Sequence, residues 1–192
     1  MVHKEDIVNF SVKPTNQIYS FSFTGVEEFL EKELQLMNKY RLMHAAAPLQ
    51  LSLDLTNKAE LWATQLANQD KEKIDVNSKY GQNIFSTKDE KDVATKSVQS
   101  WYNQIRFYDF HSAKESLKSS YFTQLVWVGS QEVGIGKAKS STGKTYIVAL
   151  FNPPGNKGNF LHNVLPVTGL FVKKKLLKKG TYYHHHLHHP GT

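Results

Sequence analysis

The chain has 192 residues, 40% of them apolar, 12% aromatic and 21% charged, enough to build one ordinary core and too apolar for a chain that stays unfolded. Cysteine is absent and no run of 18 apolar residues occurs, which excludes disulfides, thiolate metal sites, cysteine nucleophiles and a membrane-spanning helix. The net charge of +7 is uneven: Lys173, Lys174, Lys175, Lys178 and Lys179 lie in one short stretch and no acid follows residue 170, so residues 1–170 carry only +2. A nearly neutral body argues against a nucleic-acid-binding fold.

Residues 1–23 read as an N-terminal arm, with period-two alternation over 19–23. The opening Met1-Val2-His3-Lys4-Glu5-Asp6 has no apolar core of a secretory signal and no glycine at position 2 for myristoylation, so the expectation is a cytoplasmic rather than an extracellular protein. Thr24-Gly25-Val26-Glu27 has the pattern of a capping box. Val26, Leu30, Leu34 and Met37 then follow at helical spacing, which predicts an amphipathic helix to about His44, stopped before Pro48. A second helix is predicted over 54–69, with Ala59, Trp62, Ala63, Leu66 and Ala67 as its buried stripe.

Residues 71–88 read as a polar loop interrupted by an apolar stretch at 80–85, and a third helix starts near Asp89. The period then changes to two. Strands are predicted over 122–128, 132–139 and 145–151, with a turn at Ser140-Ser141-Thr142-Gly143 and a break at Pro153-Pro154-Gly155-Asn156. Helices first and a strand meander after them imply an α+β fold with helices packed on a mainly antiparallel sheet. Gly134 and Gly136, alternating with Val133 and Ile135, leave room for a helix or loop to pack closely. Trp101, Phe122 and Trp127 read as core aromatics, and His44 as a buried structural residue with its hydrogen bonds satisfied.

Several segments in chain order resemble the CAP superfamily of cysteine-rich secretory, antigen 5 and pathogenesis-related proteins. They are Asn38-Lys39-Tyr40-Arg41-Leu42-Met43-His44, Gly81-Gln82-Asn83-Ile84, Tyr121-Phe122-Thr123-Gln124-Leu125-Val126-Trp127, Val133-Gly134-Ile135-Gly136-Lys137-Ala138 and Phe151-Asn152-Pro153-Pro154-Gly155-Asn156. Asn163-Val164-Leu165-Pro166 is similar to the end of the Golgi-associated plant pathogenesis-related branch, and the lack of cysteine fits that branch. The resemblance implies a three-layer α-β-α sandwich over residues 24–168, followed by a basic, His-rich tail at 169–192.

The family's central cleft carries two histidines and two glutamates that can hold a divalent cation. Mapped onto this chain, the glutamates become Gln82 and Gln104, one histidine becomes Tyr121, and Ile74 is the nearest match to the other. A neutral amide binds cations far more weakly than a carboxylate and cannot serve as a general base. No metal, cofactor or catalytic residue is therefore expected, and Gln82, Gln104 and Tyr121 can instead hydrogen-bond one another. The resulting expectation is a non-catalytic CAP domain that works by binding an anionic lipid or membrane surface, a protein partner or a second copy of itself. The tail lysines 173, 174, 175, 178 and 179 would meet the membrane, on the cytosolic face of the Golgi if the resemblance extends that far. A metal-dependent hydrolase would need the missing tetrad, and a secreted CAP-type effector would need a leader. His184, His185, His186, His188 and His189 can chelate zinc or nickel by themselves.

Overall fold

The computed structural model describes residues 25–168. The Thr24 cap, the arm and the tail lie outside the described residues. Helix α1 (Gly25–Met43) buries Phe29, Leu30 and Met37, keeping the apolar stripe that its spacing predicts. Helix α2 (Leu53–Gln69) starts where the Ser52 side chain accepts from the Leu55 amide, and it stops at Asp70, whose φ of 48° turns the chain out of the helix. Strands β1 (Gln50–Leu51), β2 (Gly81–Thr87), β3 (Glu132–Lys139) and β4 (Thr145–Asn152) form one sheet in the order β1-β3-β4-β2. The β1–β3 pair is parallel and the other two pairs are antiparallel. Helix α3 (Val93–Tyr102) continues as a 3₁₀ turn over Asn103–Phe107; α4 (Ser120–Leu125) and α5 (Phe160–Asn163) are short.

Helices lie on both faces of this sheet. On one face Leu55, Ala59, Ala63 and Leu66 of α2 pack on Tyr146, Val148 and Leu150. On the other, α1, α3 and α4 pack on Val133, Ile135, Ile147, Ala149 and Phe151. Two buried layers explain why β4 reads as a continuous apolar run rather than a polar–apolar alternation. The α-β-α sandwich expected from the sequence is what the chain forms.

Three local expectations need correction. Residues 122–128, predicted as a strand, form most of α4 and the turn after it. Thr123 and Gln124 are as buried as Phe122 and Leu125 because their polar atoms bond Asn156, Ser130 and Gly155, so the apparent alternation carries no inside–outside meaning. Residues 81–87, read as part of a loop, form a full edge strand paired with β4 along its length; its half-exposed residues masked the signal. Trp62, assigned to the buried stripe of the second helix, sits beside that stripe and is only partly covered.

Glu33 is a buried acid between α1 and α3. Its Oε1 accepts from the Ser97 hydroxyl, and its Oε2 has no hydrogen-bond partner. Burial pushes its carboxyl up to about 8, opposed by the Ser97 bond and the charge of Lys137. An acid whose folded pKa is raised binds more protons when folded. Its contribution to stability is therefore complete below the unfolded value of 4.5 and is lost as the pH rises through about 8. Between pH 5.5 and 9 the unfolding free energy from urea titrations should fall, by up to about 1.4 kcal/mol per pH unit at the steepest. Glu33→Gln should flatten that slope, and a variant as pH-dependent as the parent would exclude Glu33 as its source.

Candidate functional site

The residues at the family's cleft positions come from β2, the end of α3, the start of α4 and the loop before β2. Gln82 on β2 reaches back to that loop. Its Oε1 accepts from the Asp75 amide at 2.9 Å and its Nε2 donates to the Asp75 carbonyl at 2.8 Å. Both ends of the side-chain amide are used on one residue of backbone. Ile74, the match to the missing histidine, precedes Asp75 and is exposed.

Gln104, in the 3₁₀ turn after α3, does a different job. Its Oε1 accepts from the Tyr121 amide at 2.8 Å and from the Phe122 amide at 3.4 Å, two of the unpaired donors at the start of α4. Asn83, beside Gln82, donates to the Tyr121 carbonyl at 2.9 Å. The Tyr121 hydroxyl is held above its ordinary value, chiefly by burial and next by the charge of Glu72. The structure thus joins Gln104 to Tyr121 through the backbone, and it turns Gln82 toward Asp75 instead. The mutual side-chain network expected among the three residues is replaced by two separate backbone clamps. Among the described residues, no group of three or more His, Asp or Glu is placed to hold a metal ion.

The two amides should respond differently to reversal. At position 104 only the acceptor is used, and a carboxylate accepts equally well at a helix start, so Gln104→Glu should be neutral or slightly stabilising. At position 82 the carbonyl of Asp75 needs a donor that a carboxylate lacks. Gln82→Glu should cost about 1–3 kcal/mol in urea unfolding at pH 7; equal effects at both sites would contradict the clamp assignment.

Around this region the signature residues serve as architecture. His44 is fully buried, with Nδ1 2.6 Å from the Leu165 carbonyl and Nε2 2.9 Å from the Tyr102 hydroxyl. Since a carbonyl only accepts, Nδ1 carries the proton, and in the neutral ring Nε2 accepts from the Tyr102 hydroxyl. Gln124 accepts from the Gly155 amide at 2.8 Å and donates to the Ser130 hydroxyl at 3.1 Å. Trp101 is fully buried and its indole donates to the Ile84 carbonyl.

A second feature is a groove between α2 and the loop before β2, lined by Lys58, Leu61, Trp62, Asp75, Lys79 and Tyr80, with a volume of about 570 Å³. Sequence reasoning missed it because its residues come from two segments with no motif in common. The available signal was Leu61-Trp62 flanking, rather than continuing, the Ala59, Ala63, Leu66 stripe.

The fold agrees with the comparisons to known proteins. The sequence pattern of the cysteine-rich secretory protein family, CAP, matches residues 34–151. Human Golgi-associated plant pathogenesis-related protein 1 is 32% identical over 149 residues, covering 73% of this chain and 94% of the human protein. Protein PRY2 of Saccharomyces cerevisiae is 42% identical over 76 residues, covering 38% of this chain and 23% of PRY2. Among solved structures, BmVAL-1 superposes with a TM-score of 0.59 at 17% identity, covering 78% of this chain and 87% of BmVAL-1. NaASP2, crystallised with Zn²⁺, superposes at 0.58 and 17% identity, covering 80% of this chain and 91% of NaASP2. The chain belongs to the CAP family.

Proposed function

We propose that this chain is a non-catalytic CAP domain that works by binding at an anionic membrane surface. The observation that carries the reading is the use of Gln82 and Gln104 as backbone clamps, where the family's cleft would need carboxylates. A neutral amide binds a cation far more weakly than a carboxylate and cannot serve as a general base, and at position 82 both ends of the amide are already bonded to Asp75. The reading of a metal-dependent hydrolase therefore has little to stand on. The charge distribution supports a membrane: five lysines stand at 173–179 against a body of +2. The name of the human relative, Golgi-associated, supports an intracellular membrane as the place.

Each lysine near a strongly anionic leaflet contributes about 1 kcal/mol, so five supply at most about 5 kcal/mol. The full chain should sediment with phosphatidylserine vesicles at about 0.1 M salt and progressively less toward about 1 M, as the Debye length falls from about 10 Å to about 3 Å. Replacing Lys173, Lys174, Lys175, Lys178 and Lys179 by glutamine should weaken sedimentation at least tenfold. No sedimentation at any salt would overturn the membrane reading in favour of a protein partner. For the cleft, calorimetry on the full chain with its five C-terminal histidines replaced by glutamine should give no heat with Zn²⁺.

A further inference from the structure

The groove beside α2 differs from the amide clamps in chemistry and meets one of them at Asp75. Its two aromatic rings carry cations. Lys58 and Lys79 each stand 5.5 Å from the centroid of the Tyr80 ring, and Lys73 stands 5.8 Å from that of Trp62. The Trp62 indole N–H donates to the Lys73 carbonyl at 3.1 Å, which fixes the ring against the loop. Lys58 pairs with Asp54 at 2.6 Å, Asp75 lines the groove, and Glu72 adjoins Lys73 in the loop.

Leu61, in the groove, and Ile74 and Val76, on the loop that borders it, have little covering them. Leu61 is 70% exposed, Val76 88% and Ile74 45%. Leu61 lines the groove, and Ile74 and Val76 flank Asp75, which lines it from the loop. The loop that carries two of them is held at Asp75 by both ends of the Gln82 amide, so it presents Ile74 and Val76 from a fixed base.

Protruding aliphatic tips, aromatic rings with a polar edge, and lysines able to extend past them make up the combination that suits the boundary between lipid headgroups and acyl chains. A soluble anion in the groove would use the lysines and leave Leu61 and Val76 in water. We propose that this face seats the folded body on an anionic bilayer. Leu61, Ile74 and Val76 enter the boundary, Trp62 and Tyr80 lie at headgroup level, and Lys58, Lys73 and Lys79 meet lipid phosphates. The inference rests on the membrane reading and adds to it a defined surface on the domain, apart from the C-terminal lysines.

The chain's own tryptophans supply the test. Trp101 is fully buried and Trp127 is 3% exposed, so Trp62 alone of the three stands at the surface. The full chain is mixed with vesicles of phosphatidylserine and phosphatidylcholine whose acyl chains are brominated. The expected result is quenching of tryptophan emission on binding, lost in Trp62→Phe. Leu61→Ser with Val76→Ser should weaken sedimentation at least tenfold while the urea midpoint stays unchanged. Quenching should persist, at higher lipid, when the five C-terminal lysines are replaced by glutamine. Sedimentation without Trp62 quenching, or full binding by the Leu61→Ser, Val76→Ser double variant, overturns the face and leaves the membrane reading standing. Failure of the full chain to sediment overturns both.

Discussion

Gly136→Ala should destabilise the domain by about 3 kcal/mol or more, at the upper end of what overpacking costs. The added Cβ would stand 2.3 Å from the Ala59 carbonyl carbon and 2.3 Å from the Glu60 nitrogen. These are helix backbone atoms, which cannot swing aside as a side-chain tip can. Relief would require α2 to lift from the sheet and loosen Ala59 and Ala63, both fully buried. Gly134 faces the same helix one step along, with its Cβ position 2.0 Å from the Leu55 carbonyl carbon, and should behave alike. Gly25, with nothing within 4 Å of its Cβ position, is the control: Gly25→Ala should lie within about 0.5 kcal/mol of the parent. Urea unfolding of the three variants decides the matter, and a Gly136→Ala midpoint equal to the parent's would mean that the helix does not bear on the strand.

Arg41→Met should cost a similar amount, about 3–5 kcal/mol, by a different route. The Arg41 guanidinium is fully buried and faces carbonyls. Its Nε donates to Ala47 at 2.8 Å, its Nη1 to Leu125 at 3.1 Å and Trp127 at 2.7 Å, and its Nη2 to Ser130 at 3.0 Å. Burial lowers its pKa to about 10, a sign of how poorly the site hydrates a charge. Four backbone acceptors converge from the turn after α1 and the turn after α4, and the planar fork reaches all of them. Methionine fills the volume and leaves the acceptors without donors. Lysine brings one ammonium where a fork is needed, so Arg41→Lys should recover less than half of the loss. A methionine variant as stable as the parent would show that the turns find other donors.

Much of this was legible in the residues. The spacing of Val26, Leu30, Leu34 and Met37 foretold α1, and β3 has the predicted bounds. The glycines at 134 and 136 announced a close approach that the structure places against α2. What escaped was polarity with a partner elsewhere in the chain. Thr123 and Gln124 look like the outward half of a strand until Asn156 and Gly155, about thirty residues on, are brought beside them. Gln82 and Gln104 were recognisable as departures from the family pattern, because a motif fixes their positions. What the amides bond was not recognisable, because Asp75 and Tyr121 become neighbours only once the sheet and α4 are assembled. Trp62 was misassigned because a helical wheel does not say how wide the covered stripe will be.

Strand β4 has a consequence for how the domain opens. Tyr146, Val148 and Leu150 belong to one buried layer and Ile147, Ala149 and Phe151 to the other, each with at most 4% exposure. One strand is therefore shared by both layers, and neither layer can loosen while the other keeps its packing. Its amides, flanked by β3 and β2, should exchange with solvent deuterium only in molecules that have lost both layers together. The slowest protons of the domain then report its whole unfolding free energy, and the two cores act as a single cooperative unit in spite of the sheet between them.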